Sequence, residues 1–246
     1  MIGGPGSASP LLVDAEFAPG FEALGMVAFT TARAAGTFGL NDPAGDPVAL
    51  MERWDALRQL AAEHGAPRLV SAHQVHGDTI VSHGAEWAPG WLRVPDADGH
   101  LVRRGAVAMA VTIADCVPVF LAHPNGAAAL LHAGWRGTAS RILPRAIDRL
   151  TDLGCDPGTL RLHLGPSISG EAYEVGPEVH LAVRGDADAR RGPLDLRAVL
   201  AEQARAAGAP QVTISPWCTV GAHPRWFSHR RGDMGRQVAV LIVPSA

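Results

Sequence analysis

Apolar residues in this chain recur in two rhythms, a helical one near 3.6 and a strand-like one of two, with turn residues between the segments. Met26 to Thr31 reads as a first strand. Asp46-Pro47 then supplies a helix start, with Asp as N-cap and Pro at the first helical position. Val48, Met51, Trp54, Leu57, Leu60 and Ala61 follow at helical spacing, and Gly65 is the expected stop. Arg68 to His83 alternates loosely and predicts one strand kinked at Gly77-Asp78, and Leu101 to Arg104 predicts a short paired segment. Val107 to Ile113 and Val117 to Ala122 are rich in β-branched residues, as buried strands are. Pro124-Asn125-Gly126 is a turn, so the strand predicted at Ala127 to His132 runs back beside the one before it.

Past Gly137, Ile142, Leu143, Ala146, Ile147, Leu150 and Leu153 mark one helix face, with Pro144 forcing a late start or a kink and Gly154 as the stop. A strand at Leu160 to Leu164, a helix at Leu194 to Ala207, and strands at Gln211 to Ser215, Arg225 to His229 and Gln237 to Val243 complete the pattern. Residues 1–20, rich in Gly, Pro, Ser and Ala, are expected to form a loose arm. The rest, 21–246, is expected as a single compact domain of α/β (mixed α+β) class, with packed mixed β-sheets flanked by helices.

Composition narrows the function classes. A net charge of −3 argues against nucleic-acid or anionic-membrane partners. Every Lys or Arg position is Arg, so Schiff-base and P-loop lysines are excluded, and anions must be met by Arg, His or backbone N–H groups. Three cysteines, Cys116, Cys155 and Cys218, do not make a disulfide framework and point to a reducing compartment. The first residues lack the pattern of a signal peptide, and the longest apolar stretch, Val107 to His123, is too short and polar to span a bilayer. The expectation is a cytoplasmic protein acting on small molecules, of unspecified oligomeric state.

The chemistry concentrates in three runs: His73-Gln74-Val75-His76-Gly77, Ala114-Asp115-Cys116-Val117-Pro118 and His132-Ala133-Gly134-Trp135-Arg136-Gly137. Two imidazoles and a thiolate suit zinc, and three protein ligands leave the open position of a catalytic site. Cys116 and His132 are nearly equidistant from the Asn125-Gly126 turn and therefore become cross-strand neighbours. On a strand, His73 and His76 face opposite sides; His76 is preferred because Gly77 permits close approach. Asp115 is expected either to orient a ligand imidazole or to serve as a turn carboxylate. Cys155 and Cys218 read as structural. Arg136, between glycines before a helix, suggests an anion pocket, and Arg230, Arg231 and Arg236 form a second basic group near Ser228. The alternative for Arg136 is a surface salt bridge, and at least two of Arg230, Arg231 and Arg236 are expected to be solvated.

Together these runs, with Gly165-Pro166-Ser167-Ile168, Tyr173-Glu174-Val175-Gly176, Phe227-Ser228-His229-Arg230-Arg231 and Gly235-Arg236-Gln237, resemble the bacterial YfiH/laccase-domain family over about Arg33 to Val243. Members have been called polyphenol oxidases, purine nucleoside phosphorylases and peptidoglycan editing factors. The resemblance implies one Zn2+ held by His76, Cys116 and His132, and phosphorolysis of adenosine, inosine or methylthioadenosine to free base and ribose 1-phosphate, with some adenosine deamination. Arg33 and Asn41 bracket a short counterpart of the family's glycine-rich loop. On this reading Arg136, Asp115 and Arg33 are the catalytic candidates, with Arg136 and Arg33 holding phosphate. Gln74, Asn41, Ser228 and Arg230 are the substrate-binding candidates, while roles for His73, His229 and Glu174 stay open. Competing readings are a cell-wall-precursor hydrolase using the same zinc, a copper polyphenol oxidase and a structural zinc module. The copper reading is disfavoured by the lack of a His-X-His pair, although Cu2+ is expected to bind a two-His, one-Cys site adventitiously.

Overall fold

A computed structural model describes residues 9–40, 45–221 and 224–245. The strands are β1 (Glu16–Phe17), β2 (Val27–Thr30), β3 (Arg68–Ala72), β4 (Ile80–His83), β5 (Gly90–Val94), β6 (Gly99–Val102), β7 (Val107–Ile113), β8 (Val117–Ala122), β9 (Ala128–Ala133), β10 (Arg161–Leu164), β11 (Glu174–Val175), β12 (Gly192–Pro193), β13 (Val212–Ile214) and β14 (Gln237–Val243). The helices are α1 (Pro47–Glu63), α2 (Trp135–Ala139), α3 (Ile142–Asp152), α4 (Pro177–Arg184) and α5 (Leu196–Ala206). Two six-stranded mixed sheets result, one ordered β1-β2-β14-β7-β3-β5 and the other β13-β10-β8-β9-β6-β4.

Strand alternation sorts the side chains into layers. Met109, Val111 and Ile113 of β7 meet Phe120 and Leu130 of the opposite sheet, forming the core between the sheets. Ala108 and Ala110 of the same strand face out and are covered by Trp54, Leu57 and Leu60 of α1. On the far side, Val119 and Leu131 pack under Ile147 of α3 and Leu200 of α5. The order is therefore helix, sheet, sheet, helix, and both faces of each sheet are buried, which is why β7, β8, β9 and β14 read as continuous apolar runs.

Local signals explain most boundaries. Asp46 Oδ1 accepts from the backbone of Val48 (2.9 Å) and Ala49 (3.4 Å), and such a cap contributes about 1 kcal/mol. Val48 and Met51 are exposed, so only the second half of the predicted apolar face is core. Pro144 falls in the first turn of α3, where a missing N–H costs no helix bond, and a separate short α2 precedes it. The predicted hairpin forms, but with Val117 opposite Ala133 and Pro118 opposite His132, so Cys116 is not the cross-strand partner of His132; it lies one residue before β8, farther from the turn than His132.

Three further expectations are corrected. From Ser9 onward the supposed arm packs: Leu11 and Ala18 are buried and β1 pairs with β2. Arg68 to His83 is two strands in different sheets, because the chain leaves one sheet after Ala72 and wraps Asp98 before joining the other. Arg225 to His229 is not a strand; the Phe227 and Ser228 amides donate to the side chains of Gln237 and Asp233 instead of to a neighbouring strand. The helix α4 carries no expectation from the pattern; it is only eight residues long and starts at Pro177.

Candidate metal centre and active-site cavity

Neighbouring strands β3 and β7 run parallel, so their chains leave the first sheet at the same end. Both then cross to the second sheet, one through His76 and the other through Cys116. His132 arrives at that end from β9, on the face turned toward the first sheet. The ligating atoms of His76, Cys116 and His132 lie within 4.8 Å of one another, and the two rings meet edge-on with centroids 4.8 Å apart. His132 is buried, Cys116 half-buried and His76 exposed toward a cavity. His76 therefore does not sit on a strand, and the alternation argument that chose it over His73 does not apply. His73 lies in the same loop, exposed, with Nδ1 at 2.9 Å from Asp96.

Backbone strain accompanies this geometry. His76 and Asp115 both adopt positive φ, 61° and 82°, which costs a non-glycine residue on the order of 1–3 kcal/mol. Hydrogen bonds hold each in place. The amides of Val75, His76 and Gly77 donate to the Asp98 carboxylate at 3.2, 3.0 and 2.7 Å. The Asp115 carboxylate accepts from Thr219, from Ser228 Oγ and from the Arg230 amide.

Asp98, absent from the sequence-derived candidates, is the residue that orients a ligand. It is fully buried and takes a hydrogen bond from His132 Nδ1 at 2.7 Å, which leaves Nε2 as the nitrogen available to a metal ion. Burial alone would raise its pKa, but the hydrogen bond and charge of His132 and the loop amides bring it below the ordinary carboxylate value. Asp115 does not serve an imidazole; its oxygens fix the Ser228–Arg230 loop. Burial likewise pushes the Cys116 thiol up, yet the adjoining His132 imidazolium and hydrogen bonds from His132 and His76 outweigh it and lower the pKa to about 6. Against the desolvation of its own ring, His132 is raised to about 9 by the Cys116 thiolate and Asp98. The donors thus favour a thiolate at neutral pH, the form that binds metal. Gly134 completes the fit, since a Cβ there would lie 2.9 Å from Cys116 Sγ and 3.3 Å from the His76 ring.

The cluster opens into a cavity of about 660 Å³, within the range for small-molecule sites. Gln74, Asp115, Arg136 and Arg230 line it, as do His73 and His229; Glu174 is not part of its wall. Gln74 is committed to the protein, its amide exchanging hydrogen bonds of 2.8 Å with Thr112. Two candidates lie elsewhere. Ser228 is fully buried, bound to Asp115 and the Arg231 amide. Arg33 pairs with Asp233 at 2.5 Å and lies over the Phe227 ring, outside the cavity wall. Asn41 falls outside the described residues, although Gly39 and Leu40 beside it reach the cavity. Tyr173 and Trp135, singled out by no role from sequence, form aromatic wall.

Fold and site together define a helix–sheet–sheet–helix domain with a two-histidine, one-cysteine cluster able to hold a metal ion at the end of its central layer. The family model described as multi-copper polyphenol oxidoreductase laccase matches residues 36–244, and the chain belongs to that family. It is 37% identical to a purine nucleoside phosphorylase of Mycobacterium tuberculosis over 230 residues, 87% of this chain and 90% of that one. Among solved structures it resembles YlmD from Geobacillus stearothermophilus with a TM-score of 0.79 and 28% identity, covering 93% of this chain and 94% of that one. A Neisseria meningitidis protein of family DUF152 gives a TM-score of 0.78 at 26% identity, covering 94% and 100%. No described helix is long and apolar enough to cross a membrane.

Proposed function

We propose that this chain is a zinc-dependent purine nucleoside phosphorylase acting on adenosine, inosine or methylthioadenosine, with adenosine deamination as a side reaction. The observation that carries this reading is a three-donor metal cluster opening directly into a cavity of nucleoside size with aromatic and arginine walls. The names borne by the Mycobacterium tuberculosis and Deinococcus radiodurans relatives support the reaction class. In phosphorolysis an oxygen of hydrogen phosphate bonds to ribose C1′ as the C1′–N bond breaks. The bonding pair leaves with the base, which ends with the proton the phosphate carried.

His76, Cys116 and His132 would hold the ion, and Asp98 fixes the tautomer and angle of His132. A zinc ion held there would supply Lewis acidity, a chemistry that suits deamination directly. Leu40, Ile168 and Leu196 give the cavity wall apolar surface against which a purine can pack. Despite the family's multi-copper description, the described residues contain one such donor cluster, enough for a single ion. Copper outcompetes zinc for most nitrogen and sulfur sites, so weak phenol oxidation by copper-loaded protein does not distinguish the readings.

The test is metal analysis of protein purified without added metal, followed by incubation with adenosine or inosine, with and without phosphate. About one zinc per chain and phosphate-dependent release of free base are expected. The variants His76→Ala and Cys116→Ala should lose both metal and turnover while keeping their far-ultraviolet circular dichroism. Turnover that persists in folded, metal-free variants rejects the proposal.

A further inference from the structure

Phosphorolysis needs an anion held beside the nucleoside, and Arg33 is already occupied by Asp233. The cavity wall carries Arg93, Arg136, Arg230 and Arg236 against a single carboxylate, Asp115, whose oxygens are already satisfied. Arg236 spends Nη1 on the carbonyls of Asp233, Met234 and Gly235. Arg136 and Arg230 are different. Among the described residues neither has a carboxylate within ion-pair distance, and each guanidinium lies over an aromatic face: Arg136 at 4.3 Å from the Trp135 ring centroid, Arg230 at 5.2 Å from that of Tyr173.

Stacking fixes the plane of a guanidinium and leaves its N–H edge free, the arrangement that recognises phosphate with paired hydrogen bonds. Arg230 is further anchored through Nη2 to the Glu174 carbonyl at 3.1 Å, and its own amide is tied to Asp115. Its backbone and one edge are thus set before any ligand arrives.

We propose that Arg136 on Trp135 and Arg230 on Tyr173 form a two-arginine clamp for a phosphate dianion at the wall of this cavity. The clamp takes inorganic phosphate and the phosphate of the sugar phosphate product. Its place in the reaction rests on the phosphorylase reading; its affinity for phosphate does not. Tyr173 is a positioning residue, the platform that holds Arg230.

The experiment is calorimetric titration of zinc-loaded protein with inorganic phosphate, with and without free purine base, beside KM measurements for phosphate and nucleoside. Arg136→Met and Arg230→Met are each expected to weaken phosphate binding about tenfold or more and to raise KM for phosphate, not for nucleoside. Tyr173→Phe should keep phosphate affinity because the ring face remains, whereas Tyr173→Leu should lose it. Arg58→Met, on the solvent side of α1 and away from the cavity, serves as the control with unchanged phosphate affinity, and thermal melts confirm folding of each variant. Phosphate binding that depends on both arginines, without nucleoside turnover, sustains the clamp and sinks the phosphorylase reading. Phosphate-dependent turnover with unaltered KM for phosphate in both Arg→Met variants overturns the clamp, as does wild-type protein that binds no phosphate.

Discussion

At the scale of single residues, Asp98 carries the most structure per side chain. One buried carboxylate takes three loop amides and the His132 imidazole, so it shapes the His76 loop and aims a second ligand at once. Asp98→Asn keeps the size but replaces one acceptor with an NH2 facing donors. Orienting partners of ligand histidines are worth about 10–100-fold in metal affinity, and a loss in that range is expected here. Competition against a chelator of known affinity measures it; an unchanged zinc constant in folded Asp98→Asn protein would show that the hydrogen bond is incidental. The three donors that could hold a metal are legible in the sequence because His and Cys announce metal chemistry by type. Asp98 is not, because its partners lie about twenty residues before and thirty-four after it, joined only by the crossing between sheets. Asp115 drew the orienting role because it adjoins Cys116 in sequence, yet its positive φ turns its carboxylate toward the Ser228 loop.

Among the elements, the β8–β9 hairpin shows how far local pattern reaches. An Asn-Gly turn and two apolar runs predict the hairpin, but its register sets Pro118, not Cys116, opposite His132; Cys116 reaches His132 from just beyond the ladder, at the crossing between the sheets. Periodicity failed where the chain changes sheets. Nothing in the alternation of Arg68 to His83 distinguishes one kinked strand from two strands joined by a loop, because the distinction lies in which partner each half finds. The same hairpin yields a prediction. Gly134 needs no unusual dihedral, with φ at −81°, so Gly134→Ala should leave the hairpin folded. Its new Cβ would nevertheless press on Cys116 Sγ at 2.9 Å. Zinc content is expected to fall with little change in melting temperature of the metal-free protein. Full zinc occupancy in Gly134→Ala would mean that the ligands have more room than the structure indicates.

Across the whole molecule, the layer between the sheets is less apolar than the strand runs suggest. His83, His100 and His163 are all buried on the inner side of the second sheet, and His163 packs against the Phe120 ring at 5.9 Å. Desolvation lowers His83 and His163 to about 4, and His100 to about 3 with a further contribution from the neighbouring His83. Each therefore stays neutral when folded, while the unfolded chain binds protons below about pH 6.5. Their contribution to stability is full above that pH and is lost as the pH falls toward 4, at no more than about 1.4 kcal/mol per pH unit for each group. Glu16, at 3.9 Å from His163, works in the opposite direction, since burial raises its pKa and acid neutralises it in the folded state. Three histidines against one carboxylate leave a net loss on acidification. Melting temperature should fall from pH 7 to pH 4.5, and His163→Gln should make that fall shallower at equal metal content. A melting temperature that holds steady or rises over that interval would show that protons or water reach the inter-sheet histidines in the folded protein, and with it that the central layer is more open than its packing implies.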